Sequence, residues 1–296
     1  MHLEAVSSGA QAHHNEDWAA AIGTPDGCEL IMLDGATSVA DRDYIDPVHG
    51  DVTWFVGRFA DALTVAIHAG LGQEEAVDQA VAMACQEYLE RGAGMDIPRY
   101  AWPIAAFSWI RVRMAGAGHR LELYCLGDCK SMMRTPDGAV QDLDPFVNPQ
   151  EAIVRAEVAK LQAEGVDDPA SRLQRLLPML RARRVFQNTA PGTNSLCLRP
   201  NGAFAARRYS VDAPAGSSLL VMTDGFYRLV DTYGLHTPAS LFTLCTEHGL
   251  QAALGQLREF ESAGRDAAQG VVKKVDDASA VFWKPDASAA FSSGQA

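Results

Sequence analysis

The sequence has little that would staple or anchor it. Its six cysteines, Cys28, Cys85, Cys125, Cys129, Cys197 and Cys245, are scattered and form no CxxC pair. Neither a disulfide framework nor a zinc site of the usual spacing is expected, and the thiols read as reduced core or near-surface residues. Long hydrophobic runs are also missing: no stretch approaches the ~20 apolar residues of a membrane helix. The opening MHLEAVSSGAQ has neither the basic region nor the apolar core of a secretion signal, so a cytoplasmic protein is expected. Positive charge is scarce, with 25 Lys and Arg against 37 Asp and Glu, a net charge of −12 and a pI near 5.1. Such a field repels nucleic acid and anionic membrane surfaces, and neither is expected as a partner. No internal repeat is visible, no linker divides the chain, and single strands do not alternate with helices as in a doubly wound sheet.

What is present is ample core material. Hydrophobic residues make up 48% of the 296 and charged residues 21%, ordinary for a globular chain that folds without staples. Acidic excess serves solubility, and it is also what a carboxylate-rich cation site leaves behind.

The most informative stretch is residues 30–38, LIMLDGATS, where an apolar run of strand length ends in Asp34-Gly35. A buried strand there delivers a carboxylate to its own end, and glycine lets the backbone turn. The same device recurs at residues 218–225, SLLVMTDG, ending in Asp224-Gly225. Taken singly, each Asp-Gly is also a common strand-ending turn. Their company matters: Asn15-Glu16-Asp17 lies upstream, and Asp276-Asp277 opens a closing strand, ASAVFW. Acidic clusters at four strand ends point to a metal centre.

Read in order, residues 1–22 suggest a strand, a polar turn and a second strand in a compact hairpin, with Pro25-Asp26-Gly27 turning into residues 30–33. Residues 41–51 are rich in turn formers and read as a loop over the site. Apolar residues at Phe55, Phe59, Leu63, Ala66 and Ile67 predict a helix over 52–69 stopped by Gly70, and 73–91 repeats the pattern. Strands are expected at 104–112, 121–126, 129–134 and 139–143, then helices at 150–164 and 171–185. The remainder suggests strands at 195–199, 204–209 and 217–222, helices near 226, 238–247 and 250–263, and a last strand at 278–283. The tail 285–296, small and polar, reads as disordered.

This order of motifs resembles the metal-dependent serine/threonine protein phosphatases of type 2C, in their bacterial form. The matching pieces are N-E-D at 15–17, L-D-G at 33–35, L-G-D-C-K at 126–130, L-L-V-M-T-D-G-F at 219–226 and D-D-A-S at 276–279. The resemblance implies an α+β fold, a four-layer αββα sandwich of two antiparallel sheets flanked by helices, over residues 1–284, with 145–190 as the family's variable flap. It implies hydrolysis of phosphoserine or phosphothreonine in proteins by attack of a water held between two divalent ions about 4 Å apart. It makes Asp34 the carboxylate bridging both ions, Asp224 and Asp276 ligands of one, and Gly35 a backbone-carbonyl ligand of the other. Glu16 and Asp17 would bind directly or through water, and Asp128 would help hold a weaker third ion. All-oxygen donors suit magnesium or manganese, whereas zinc favours histidine or thiolate. A phosphorylated protein, together with the Ser/Thr kinase that made it, is the implied partner.

Two departures stand out. Many relatives place a phosphate-gripping arginine where this chain has Ala12, and a histidine directly after the Asp-Gly where it has Ala36. His13 and His14 lie close by and are candidates for phosphate binding or proton donation, or else an exposed pair without a role. Arg181, Arg183 and Arg184 in the flap read either as a solvated helix face or as a grip on a phosphorylated, acidic substrate. The alternative to an active enzyme is a phosphatase-like binding or regulatory module that recognises a partner without turnover.

Overall fold

The protein, a computed structural model, is described over residues 1–10, 14–263 and 275–286. In chain order the described elements are β1 (His2–Ser8), β2 (Asp17–Thr24), β3 (Gly27–Gly35), α1 (Asp51–His68) and α2 (Gln73–Arg91). Next come β4 (Ile104–Ala115), β5 (Gly118–Leu126), β6 (Lys130–Arg134), β7 (Val140–Asp142), α3 (Pro149–Ala163) and α4 (Pro169–Thr189). The chain closes with β8 (Leu196–Cys197), β9 (Arg207–Ala213), β10 (Ser218–Met222), α5 (Asp224–Tyr227), α6 (Pro238–His248), α7 (Leu250–Ser262) and β11 (Ala278–Lys284).

The strands form two antiparallel sheets. One is five-stranded in the order β1-β11-β10-β6-β7, and the other runs β2-β3-β4-β5-β9 with β8 added beside β4. Three hydrophobic clusters separate four layers. Leu30, Met32, Ile110, Leu121, Val221 and Trp283 fill the space between the sheets. Ile31, Leu33, Phe107 and Trp109 pack under α1 and α2, while Leu220, Met222 and Phe282 pack under α6 and α7. The expected αββα sandwich is therefore the observed fold.

This layering explains why the two informative runs lack the alternation of a half-exposed strand. Leu30 and Met32 face the other sheet while Ile31 and Leu33 face helices, and in β10 Leu219 and Val221 divide from Leu220 and Met222 in the same way. A strand buried on both faces is apolar throughout.

The helix over 52–69 is α1, and its predicted face, Phe55, Phe59, Leu63, Ala66 and Ile67, is buried. Gly70, at φ +77°, ends it: Gly70 N–H donates to Ile67 and Leu71 N–H to Ala66, so a left-handed residue satisfies the last carbonyls. None of the described helices is long and apolar enough to cross a membrane.

Some expectations fail. Residues 1–22 do not make a hairpin: β1 pairs with β11 in one sheet, and β2 pairs with β3 in the other. The reason is Asp277, whose carboxylate accepts the backbone N–H of Ala10 at 2.7 Å and of Glu16 at 2.6 Å. Ala10 and Glu16, on either side of the turn, are thereby both held to one carboxylate at the end of the sandwich. The strand expected at 204–209 begins at Arg207, because Phe204 is buried under the helices as part of a loop. Residues 145–190 are a helical hairpin in which α3 and α4 meet through Val158, Leu161 and Leu176. Ala12, His13 and residues 287–296 of the expected tail lie outside the described residues.

Candidate metal centre

The acidic residues gather where the inter-sheet core ends. Leu30 and Met32 face the gap between the sheets, and Asp34 continues that face at the end of β3. In β2 the gap-facing residues Ala19 and Ala21 lead back to Asp17, which pairs with Asp34 across the strands. In β10 Leu219 and Val221 lead on to Thr223, and in β11 Trp283 and Val281 lead back to Ser279 and Asp277. Alternation thus puts polar side chains from four strands around one mouth.

Both glycines of the Asp-Gly pairs are needed for close approach. A Cβ on Gly35 would come within 2.5 Å of the Glu16 carbonyl oxygen, and one on Gly225 would overlap the Asp277 carbonyl. The sequence reading assigned them to sharp turns, yet neither is among the positive-φ glycines. Gly35 N–H donates to Glu16 O at 3.0 Å, so the first loop lies directly on the end of β3.

Crowding of carboxylates sets the electrostatics. Burial pushes Asp34 well above the ordinary carboxylate range, and Asp224, Asp17, Asp128 and Asp276 push it further. Asp17 is raised for the same reason, with Asp277 the chief neighbour. Asp224 stands at the solvent-facing rim, but surrounding protein displaces much of its water, and with Asp128 and Asp276 beside it the pKa is pushed up to about 7. The thiol of Cys129, buried behind them, is also driven up, by burial and then by Asp34, so it is an inert packing residue.

Four of the surrounding carboxylates meanwhile have a protein donor. Thr223 Oγ1 donates to Asp17 at 3.0 Å, Thr37 Oγ1 to Glu16 at 3.0 Å, and Asn148 Nδ2 to Asp128 at 2.7 Å. Arg228 Nη2 pairs with Asp276 at 2.6 Å. Held this way, no group of three or more His, Cys, Asp or Glu side chains among the described residues stands arranged to take a metal ion without adjustment. The donor chemistry nevertheless fits a hard divalent cation: the side chains offer oxygen only, and their mutual repulsion is what such an ion relieves.

The candidates outside this ring sort differently. His14 Nε2 lies 3.5 Å from Glu16 Oε1, so it borders the cluster. The three flap arginines do not act together. Arg181 turns away, donating to Val39 O and Asp41 and stacking on Tyr100. Arg183 donates to Asn148 Oδ1 at 3.2 Å, one hydrogen bond from Asp128. Arg184, only 6% exposed, donates to the carbonyls of Ala36 and Thr37, and burial lowers its pKa to about 10 despite the nearby Glu16. Its Nε finds no hydrogen-bond partner among the described residues. The solvated-face reading fails for Arg184, and Arg181, three residues earlier on the same helix face, is taken up by Val39 and Asp41 further along the loop that Arg184 grips.

Sequence reasoning gave no role to Thr223, Asn148 or Arg228, and counted Asp277 only as part of an acidic cluster. Thr223 and Asp277 adjoin the ligand candidates Asp224 and Asp276, a signal that was available. Asn148 was legible as a cap before Pro149, and its side chain does accept from Gln150 N–H, but its bond to Asp128 depends on the fold.

No protein-family model and no curated protein matches the chain. Solved structures do match. The catalytic domain of serine threonine protein phosphatase PstP, in complex with 2 manganese ions, is 17% identical over 95% of this chain and 96% of its own, with a TM-score of 0.52. The PPM Ser-Thr phosphatase MsPP from Mycobacterium smegmatis is 14% identical over 95% and 97%, TM-score 0.52. The S. agalactiae serine/threonine phosphatase is 15% identical over 95% and 98%, TM-score 0.53. At such identities the likeness shows a shared fold, the type 2C phosphatase fold.

Proposed function

We propose that the protein is a magnesium- or manganese-dependent phosphatase acting on phosphoserine or phosphothreonine in proteins phosphorylated by a Ser/Thr kinase. The observation that carries this reading is the convergence of Asp17, Asp34 and Asp224 at one end of the sandwich, where burial and neighbouring carboxylates raise the pKa of each. A fold that spends stability on packing like charges gains from them only when a cation is bound.

Asp34, Asp224 and Asp276, with the Gly35 carbonyl, are the residues that would hold two ions, and Glu16, Asp17 and Asp128 complete their surroundings. Two divalent ions bound there would neutralise phosphate charge and acidify water to a nucleophile at neutral pH. The protein's own residues do the rest. Thr223, Thr37 and Asn148 orient carboxylates, and Asp277 holds the Glu16 backbone in place. Arg184, anchored on the carbonyls directly after Gly35, and Arg183, beside Asn148, supply the guanidinium charge that Ala12 does not. His14 at the rim is the candidate proton donor to the departing serine or threonine oxygen.

Phosphate release from a phosphothreonine peptide in the presence of manganese tests this. The wild type should turn over, Arg184→Gln should lose about 10–100-fold in kcat/KM, and Arg181→Gln should stay near wild type. No release at any manganese concentration would contradict the enzyme reading.

A second reading, a phosphatase-like binding module, is favoured by one observation. Asp276, a ligand in the first reading, is already ion-paired to Arg228.

A further inference from the structure

Arg228 sits one helical turn beyond Asp224, and its N–H donates to the Asp224 carbonyl at 3.1 Å. One short segment therefore carries both a proposed metal ligand and a cation, on the same side. The guanidinium is largely covered, 13% exposed, and its Nη2 lies 2.6 Å from Asp276 Oδ2. The other carboxylate oxygen, Oδ1, accepts the N–H of Asp277 at 3.2 Å. Both oxygens of Asp276 are thus engaged, one of them by a full positive charge in a site where water and salt screen poorly.

Resting on the metal-centre reading above, we propose that Arg228 is a tethered cation that occupies the Asp276 position until a divalent ion displaces it. The guanidinium offsets repulsion among the carboxylates and keeps the loops together without metal. Metal and guanidinium compete for the same oxygen, so the ion that needs Asp276 binds more weakly than its ligand set alone would allow. Loading then depends on metal concentration, and the short helix α5 must shift the Arg228 side chain as the ion arrives.

Manganese titration calorimetry on the full chain tests this, comparing the wild type with Arg228→Gln, Asp276→Asn and the double variant. Arg228→Gln should bind manganese at least about tenfold more tightly, and the gain should vanish in the Asp276→Asn background. Equal or weaker binding by Arg228→Gln, with the wild type binding normally, would overturn the proposal and leave the metal-centre reading standing. No manganese binding by either protein would remove that reading and this proposal with it. Should Arg228→Gln fail to fold, a crystal structure of the manganese-loaded wild type decides. The Arg228–Asp276 pair should have separated beyond hydrogen-bonding distance, and a pair retained at 2.6 Å with manganese on Asp276 would overturn the proposal.

Discussion

Thr223 donates its hydroxyl to Asp17 at 3.0 Å and accepts the N–H of Ser279 at 3.0 Å. One buried hydroxyl thereby joins β2 in one sheet to β11 in the other, at the mouth where the acidic residues gather. Thr223→Val keeps the shape but leaves two buried polar groups without this partner. It is expected to lower unfolding free energy by about 2 kcal/mol or more, read from urea midpoints, while Thr223→Ser retains most of it. A valine variant as stable as the wild type would show that the link carries no energy.

Close approach at Gly225 leads to a second expectation. A methyl there meets the Asp277 carbonyl, whose own side chain is fixed by Ala10 and Glu16, so Gly225→Ala should cost about 2 kcal/mol. Gly23→Ala is the control, since a Cβ there meets nothing within 4 Å. Thermal unfolding of the two variants should differ clearly, and equal melting temperatures would contradict the geometry.

Asn148 binds at both faces of its amide, accepting from Gln150 N–H and Arg183 and donating to Asp128. Asn148→Ala removes a helix cap worth about 1 kcal/mol and frees Asp128 from the flap. Hydrogen exchange should speed up in the first turn of α3. Unchanged protection there would mean the cap is not formed in solution.

The pH dependence has a definite sign. Asp224 has a folded pKa of about 7 against an ordinary value of 3.8, so between these values the folded metal-free protein holds a proton that the unfolded chain has lost. Its contribution is fully present below about 4 and is lost as pH rises to about 7. Asp17 and Asp34 act in the same direction. The melting temperature of the metal-free wild type, relative to Asp224→Asn, should therefore fall as pH rises through that window. A difference that is flat or rising would contradict the assigned crowding.

The strand ends were legible in the sequence because LIML and SLLVM are buried on both faces, and a run without alternation that stops at an acidic residue can be read locally. Sheet membership was not. Residues 2–8 look the same whether they turn back on 17–24 or cross to 278–284, and the choice is made by long-range pairing with β11, with Asp277 holding Ala10 and Glu16. The basic run at 181–184 was visible as charge, but its division among Asp41, Asn148 and the Ala36 carbonyl depends on which loops approach α4. Arg228 shows the same limit: its spacing from Asp224 is local, and its pairing with Asp276 is made by the fold.

The most direct measurement is hydrolysis of a small aryl phosphate as a function of manganese, for the wild type, Asp34→Asn and Asp224→Asn. The account predicts turnover that appears with manganese and falls more than about 100-fold in both variants, beyond the usual effect of an outer-shell partner. Metal-independent turnover, or variants that keep wild-type rates while folded, would contradict a metal centre at this end of the sandwich.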